Sequence, residues 1–207
     1  MDTNNARLDA TDAAARLFRA YDRHCRAADL DTLFATLNAL HSLNDRLKRA
    51  VGDDFHRFEE FVALKALRNL THHAEEVRSN MRVVPAPGLT DLGMICAVRR
   101  DQVERAIAGT DKKWRQGAKA ACEWVFHWYG PAVNINPCIF NCMVHAYELL
   151  EAEGVMPNDE AAWAFRESYQ FEAENGHSHF VDGRISAHPS EISALFSAII
   201  SELPKPQ

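Results

Sequence analysis

Residues 68–73 read Arg-Asn-Leu-Thr-His-His, so one guanidinium, one carboxamide and two imidazoles stand within six positions. Imidazole exchanges protons near neutrality, because its ordinary pKa is about 6.5. Arginine grips a phosphate through paired, charge-assisted hydrogen bonds and stabilises negative charge that develops on it. Together these groups suffice for attack of a ribose 2'-hydroxyl on the neighbouring phosphate, a reaction that needs no metal ion.

The element that carries them reads as a helix. Leu67, Leu70, Ala74, Val77 and Met81 recur at steps of three and four and define an apolar stripe. The spacing predicts one long helix from about Asp54 to Met81. Arg68 and His72 are four apart on one flank, and Asn69 and His73 are four apart on the next. In a straight helix His72 lies above Arg68, so geometry alone admits either histidine as the working one.

Arg68-Asn69 followed by His73 after three more positions resembles the signature of the HEPN superfamily of helical domains. The resemblance covers roughly residues 10–82. It implies an all-α bundle and a metal-independent endoribonuclease, with no cofactor and with 2',3'-cyclic phosphate products. It also implies a homodimer whose two motifs build one composite site, and a role as a toxin or defence protein with an antitoxin or other protein partner. In that reading His73 is the general acid or base, Arg68 stabilises charge on the phosphate, Asn69 orients the histidine or the substrate, and His72 is a support residue. A noncatalytic RNA- or protein-binding helical module is the alternative.

The rest of the chain must position this set. Helical periodicity dominates the 207 residues. The first helix starts at Thr11 or Asp12, and the second is capped by Asp31 or Thr32 and stopped by Gly52. A Pro- and Gly-rich break from Val83 to Gly93 follows. "MICAV" fits one short strand. Further helices are expected at about 101–108, 113–129, 137–153, 159–174 and 190–203. The expected architecture is all-α: three long N-terminal helices and four or five shorter ones. Residues 1–82 form the HEPN-like bundle, and residues 83–207 form a helical elaboration packed on the same core. No apolar run approaches the ~20 residues of a membrane span, and no basic start precedes an apolar stretch, so the expected location is cytoplasmic. A net charge of -6 argues against broad DNA binding. It leaves room for local basic sites at Arg46–Arg49 and Lys112–Arg115.

Three other groupings carry weaker chemistry. Cys138, Cys142 and His145 share one helical face and are zinc-type ligands, with His127 as a fourth; core packing is the stronger reading. His177, His179 and Asp182 lie between helices and read as a polar loop. Trp124, Phe126, Trp128 and Tyr129 are an aromatic cluster able to stack bases or to pack a helix end. Five cysteines without a pairing pattern read as reduced thiols.

Overall fold

In a computed structural model, the chain is mainly helical, with seven α-helices and one small antiparallel sheet among the described residues. The structure describes residues 3–73, 77, 79–83, 94–183, 198 and 201, the side chains of 73, 79–83 and 94 excepted. Two compact units are present, one made of Met1–Phe61 and Asn141–Phe180, the other of Val62–Phe140 and Val181–Gln207.

In the first unit, α1 (Thr3–Arg26) packs on α2 (Leu30–Val51) and on α7 (Glu160–Glu174). Helix α1 presents Ala10, Ala13, Ala14, Leu17 and Phe18 at helical spacing, all buried. The alanines leave room for a close approach by Leu33, Leu37, Leu40, Leu43 and Leu47 of α2, also buried. Phe165 of α7 meets Phe18, Tyr21 and Tyr147 at centroid distances of 5.5–6.1 Å. The start of α2 is fixed by a reciprocal cap. The Thr32 N–H donates to Asp29 Oδ1 at 2.7 Å, and the Asp29 N–H donates to Thr32 Oγ1 at 2.9 Å. The cap is thus Asp29 rather than Asp31, and α1 begins at Thr3, well before the Thr11/Asp12 signal. Gly52 ends α2 at φ 83°, a conformation that favours glycine, and its N–H donates to Lys48 O. Buried Asn44 then accepts the Phe55 N–H at 2.8 Å and fixes the 3-10 turn Phe55–Arg57.

The second unit holds α4 (Arg100–Gly109), α5 (Arg115–Val125) and the sheet, whose strand order is β1-β2-β4-β3. Strand β2 (Met94–Arg99) coincides with the expected "MICAV" strand. It pairs antiparallel with β1 (Ser79–Val83) on one side and with β4 (Ala132–Asn134) on the other. Ile95, Cys96, Ala97 and Val98 are all buried, which suits a central strand.

Two helical expectations give way here. Helix α3 spans Glu59–His73, not Asp54–Met81, and Met81 pairs with Cys96 inside β1. Likewise 113–129 divides into α5 and β3 (His127–Tyr129), which turns back through Gly130, φ 56°, and Pro131 into β4. In both places ladder hydrogen bonds to β2 or β4 outweigh a local pattern that fits a helix. Helix α6 (Asn136–Ala152) matches expectation. Its start is fixed by buried Asn134, whose Oδ1 accepts N–H groups from Cys96 and Asn136 at 3.1 Å each. Of the helix expected at 190–203, only Ala198 and Ser201 are described, both helical, and residues 84–93 of the Pro/Gly break lie outside the described residues. No described helix is long and apolar enough to cross a membrane.

Candidate functional site

The Arg-Asn-x-x-x-His segment occupies the last turns of α3. Leu64, Leu67 and Leu70 bury one side of the helix. That burial leaves Arg68 and Asn69 half-buried and His72 exposed. The Arg68 Nη1 donates to Asn69 Oδ1 at 3.4 Å, a long bond that joins guanidinium and carboxamide. One face over, the Thr71 hydroxyl bonds back to Leu67 O at 3.1 Å. His73 is the last described residue of α3, and its side chain lies outside the described residues.

The remaining ionisable groupings resolve into packing roles. The Nε2 of His145 lies 3.4 Å from Glu60 Oε2, and its ring stacks on Phe58 at 4.1 Å and against Phe180 at 4.7 Å. Burial pushes the Glu60 carboxyl up, but the hydrogen bond from His145, a backbone bond and the His145 charge outweigh it and hold it below its usual range. Cys142 is buried, and burial together with the charge of Glu60 pushes its thiol far up, so it stays protonated and a poor nucleophile. Cys138 is buried as well. Among the described residues no three His, Cys, Asp or Glu side chains are disposed to hold a metal ion. The zinc reading of Cys138, Cys142 and His145 therefore lacks its geometry: His145 is engaged by a carboxylate and two rings.

In the polar loop, His177 is exposed. His179 is not a loose ligand: its ring stacks on Tyr169 at 3.5 Å and its Nδ1 lies 3.0 Å from Glu172 Oε2. The Tyr169 hydroxyl donates to Glu148 Oε1 at 2.9 Å, and burial, with Glu148 beside it, pushes that hydroxyl up to about 12. These contacts pin the segment after α7. Sequence reading missed Glu60, Phe58, Tyr169 and Glu172 as partners, because each lies on a turn or helix remote in sequence from the histidine it holds or on a helix read only for its apolar face.

The basic runs differ from each other. In "RLKR", Arg46 bonds Ser42, Arg49 bonds Asp45 O at 3.0 Å and Lys48 pairs with Asp54 at 3.0 Å, a helix surface occupied with its own neighbours. In "KKWR", Lys113 lies over the Trp114 ring at 5.3 Å and Arg115 bonds Thr110 O at 3.2 Å. The aromatic cluster separates: Phe126 is buried, Trp128 donates to Cys122 O at 3.2 Å beneath Arg100, and Trp124 points outward at 79% exposure. The chain matches no protein-family model, no curated protein and no solved structure.

Proposed function

We propose that the protein is a metal-independent endoribonuclease of HEPN type, working in the cytoplasm as a homodimer with a composite site and serving as a toxin or defence protein. The single observation that supports this reading is the Arg68-Asn69-x-x-x-His73 pattern at the end of α3, where Arg68 bonds Asn69. In the mechanism His73 takes the proton of a ribose 2'-hydroxyl as the oxygen attacks the adjacent phosphorus. Arg68 stabilises the added charge on the phosphate oxygens, and a proton passes to the departing 5'-oxygen. Asn69 holds the guanidinium in line. The products are a 2',3'-cyclic phosphate and a free 5'-hydroxyl.

The test is incubation of the purified chain with mixed RNAs in the presence of a chelator, with end-group analysis of the products. Arg68→Ala and His73→Ala are expected to lower cleavage by about 100-fold or more with an unchanged melting temperature. His72→Ala is expected to cost far less. Intact RNA under conditions where the chain is folded and dimeric refutes the nuclease reading and leaves the noncatalytic binding module in its place.

A further inference from the structure

The turn before α5 and the outer face of α5 combine two features that single-stranded nucleic acid requires. The first is positive charge that no carboxylate neutralises: Lys113 rests over the Trp114 ring and Arg115 bonds Thr110 O, and neither contact cancels the cation. Nearby, Arg99 at the end of β2 and Arg105 of α4 both pair with Asp101, and Arg100 pairs with Glu104. Lys119 is held by Glu123 at 3.7 Å. Lys112, Lys113 and Arg115 are exposed and form no ion pair with a carboxylate among the described residues. The nearby Asp111 accepts the backbone N–H of Lys113 at 3.2 Å instead. A cation already paired inside the protein gains little from a phosphate, whereas these three can each displace a counterion.

The second feature is exposed π-surface. Trp114 is 65% and Trp124 79% exposed, and they are the large apolar side chains left open among the described residues of this unit. Indole is costly to expose and normally packs. The residues four and seven positions before Trp124 are Ala120 and Gly117, and a Cβ placed on Gly117 meets nothing within 4 Å. The flank of the Trp124 ring is therefore open to a flat group. Trp114 caps α5 and Trp124 stands ten positions on, about 15 Å along the axis and roughly 80° around it, a span that several nucleotides cover. A protein partner would call for a broad apolar surround about each indole. In sequence Trp114 is flanked by Lys112, Lys113, Arg115 and Gln116, and Trp124 by Ala120, Glu123 and Val125, neither a broad apolar surround.

We propose that residues 112–124 are a docking surface for single-stranded RNA, with Lys112, Lys113 and Arg115 on phosphates and Trp114 and Trp124 each stacking a base. The choice of RNA rests on the nuclease reading; the phosphate-and-base chemistry rests on this surface alone. It fits a protein of net charge -6, which needs a local basic face to hold a polyanion at all.

The experiment uses the full chain carrying Arg68→Ala, which blocks cleavage, and a fluorescein-labelled oligouridylate read by anisotropy. Trp114→Ala and Trp124→Ala are each expected to raise Kd by about 5- to 100-fold. The triple change Lys112→Gln, Lys113→Gln, Arg115→Gln is expected to reduce the slope of log K against log salt by about 2. All are exposed positions, and circular dichroism verifies the fold. The proposal is overturned if these variants bind like their parent, or if an abasic oligophosphate binds as tightly as the oligouridylate. It is overturned too if the tryptophan changes alter only the sedimentation mass, which assigns the surface to a second copy. RNA held through the tryptophans by a chain that never cuts upholds this surface and defeats the nuclease reading. Cleavage with tryptophan-independent affinity does the reverse.

Discussion

Thr32 carries more of the first unit than its position on the first turn of α2 suggests. Its hydroxyl accepts the Asp29 N–H at 2.9 Å and meets His24 Nδ1 at 3.1 Å. His24 is fully buried in α1, and its Nε2 has no hydrogen-bond partner. Thr32→Val keeps the side-chain shape and removes the hydroxyl, which leaves both nitrogens of a buried imidazole unpartnered. Stranding a buried polar group costs about 1–3 kcal/mol, and the broken cap adds to that. Urea unfolding followed by far-UV circular dichroism reads the loss as a lower midpoint at constant m. The His24→Leu background separates the two contributions. There the Thr32→Val change should cost only the cap, so the double-mutant cycle should return a coupling of on the order of 1–2 kcal/mol. Additive changes, within about 0.5 kcal/mol, refute the idea that α1 and α2 are joined through this hydroxyl.

The same histidine sets a pH dependence. Burial favours neutral His24 and lowers its pKa against the pull of Asp29, whereas the unfolded chain binds its proton near the ordinary value of about 6.5. Below that value the unfolded state holds more protons, so stability present above about pH 6.5 is lost as the pH falls toward the depressed folded value. The parent's urea midpoint should therefore drop more than that of His24→Leu between about pH 7.5 and 5.5; parallel curves count against it. Gly183 sits at φ 63°, where an added Cβ would lie 2.2 Å from Pro137 Cγ. Gly183→Ala is expected to cost on the order of 2–4 kcal/mol, checked by thermal melting, and a neutral effect excludes that packing. Of the five thiols only Cys25 is exposed, and burial pushes Cys122 up to about 12. Burial, with Asp22, also pushes the Cys25 thiol up against the Tyr21 hydrogen bond, so iodoacetamide on the folded protein should label Cys25 first, and slowly, by mass spectrometry; earlier labelling of Cys122 or Cys142 contradicts it.

Much of the helical framework was readable from local signals. The apolar repeats of α1, α2, α4, α6 and α7 fall where periodicity puts them, and Gly52 and Asp159 act as the stop and start signals their chemistry implies. Those signals are local: a cap or a stripe needs only three or four neighbours in sequence. The sheet was legible only at "MICAV". β1, β3 and β4 are five, three and three residues long and hold their shape through partners elsewhere in the chain. The same competition acts after α3, since a stripe that continued to Met81 gives no warning that Met81 belongs to a strand.

The candidate site divides along the same line. Residue types and spacing alone bring Arg68, Asn69, His72 and His73 onto one stretch of chain, together with a basic run beside aromatic residues. The tertiary structure decided that Arg68 bonds Asn69, that His145 and His179 are held by Glu60 and Glu172, and that Trp124 faces outward while Phe126 and Trp128 do not. The physical reason is that burial and ion pairing depend on what the rest of the fold brings against a side chain, and a helix leaves that open on every face but its apolar one.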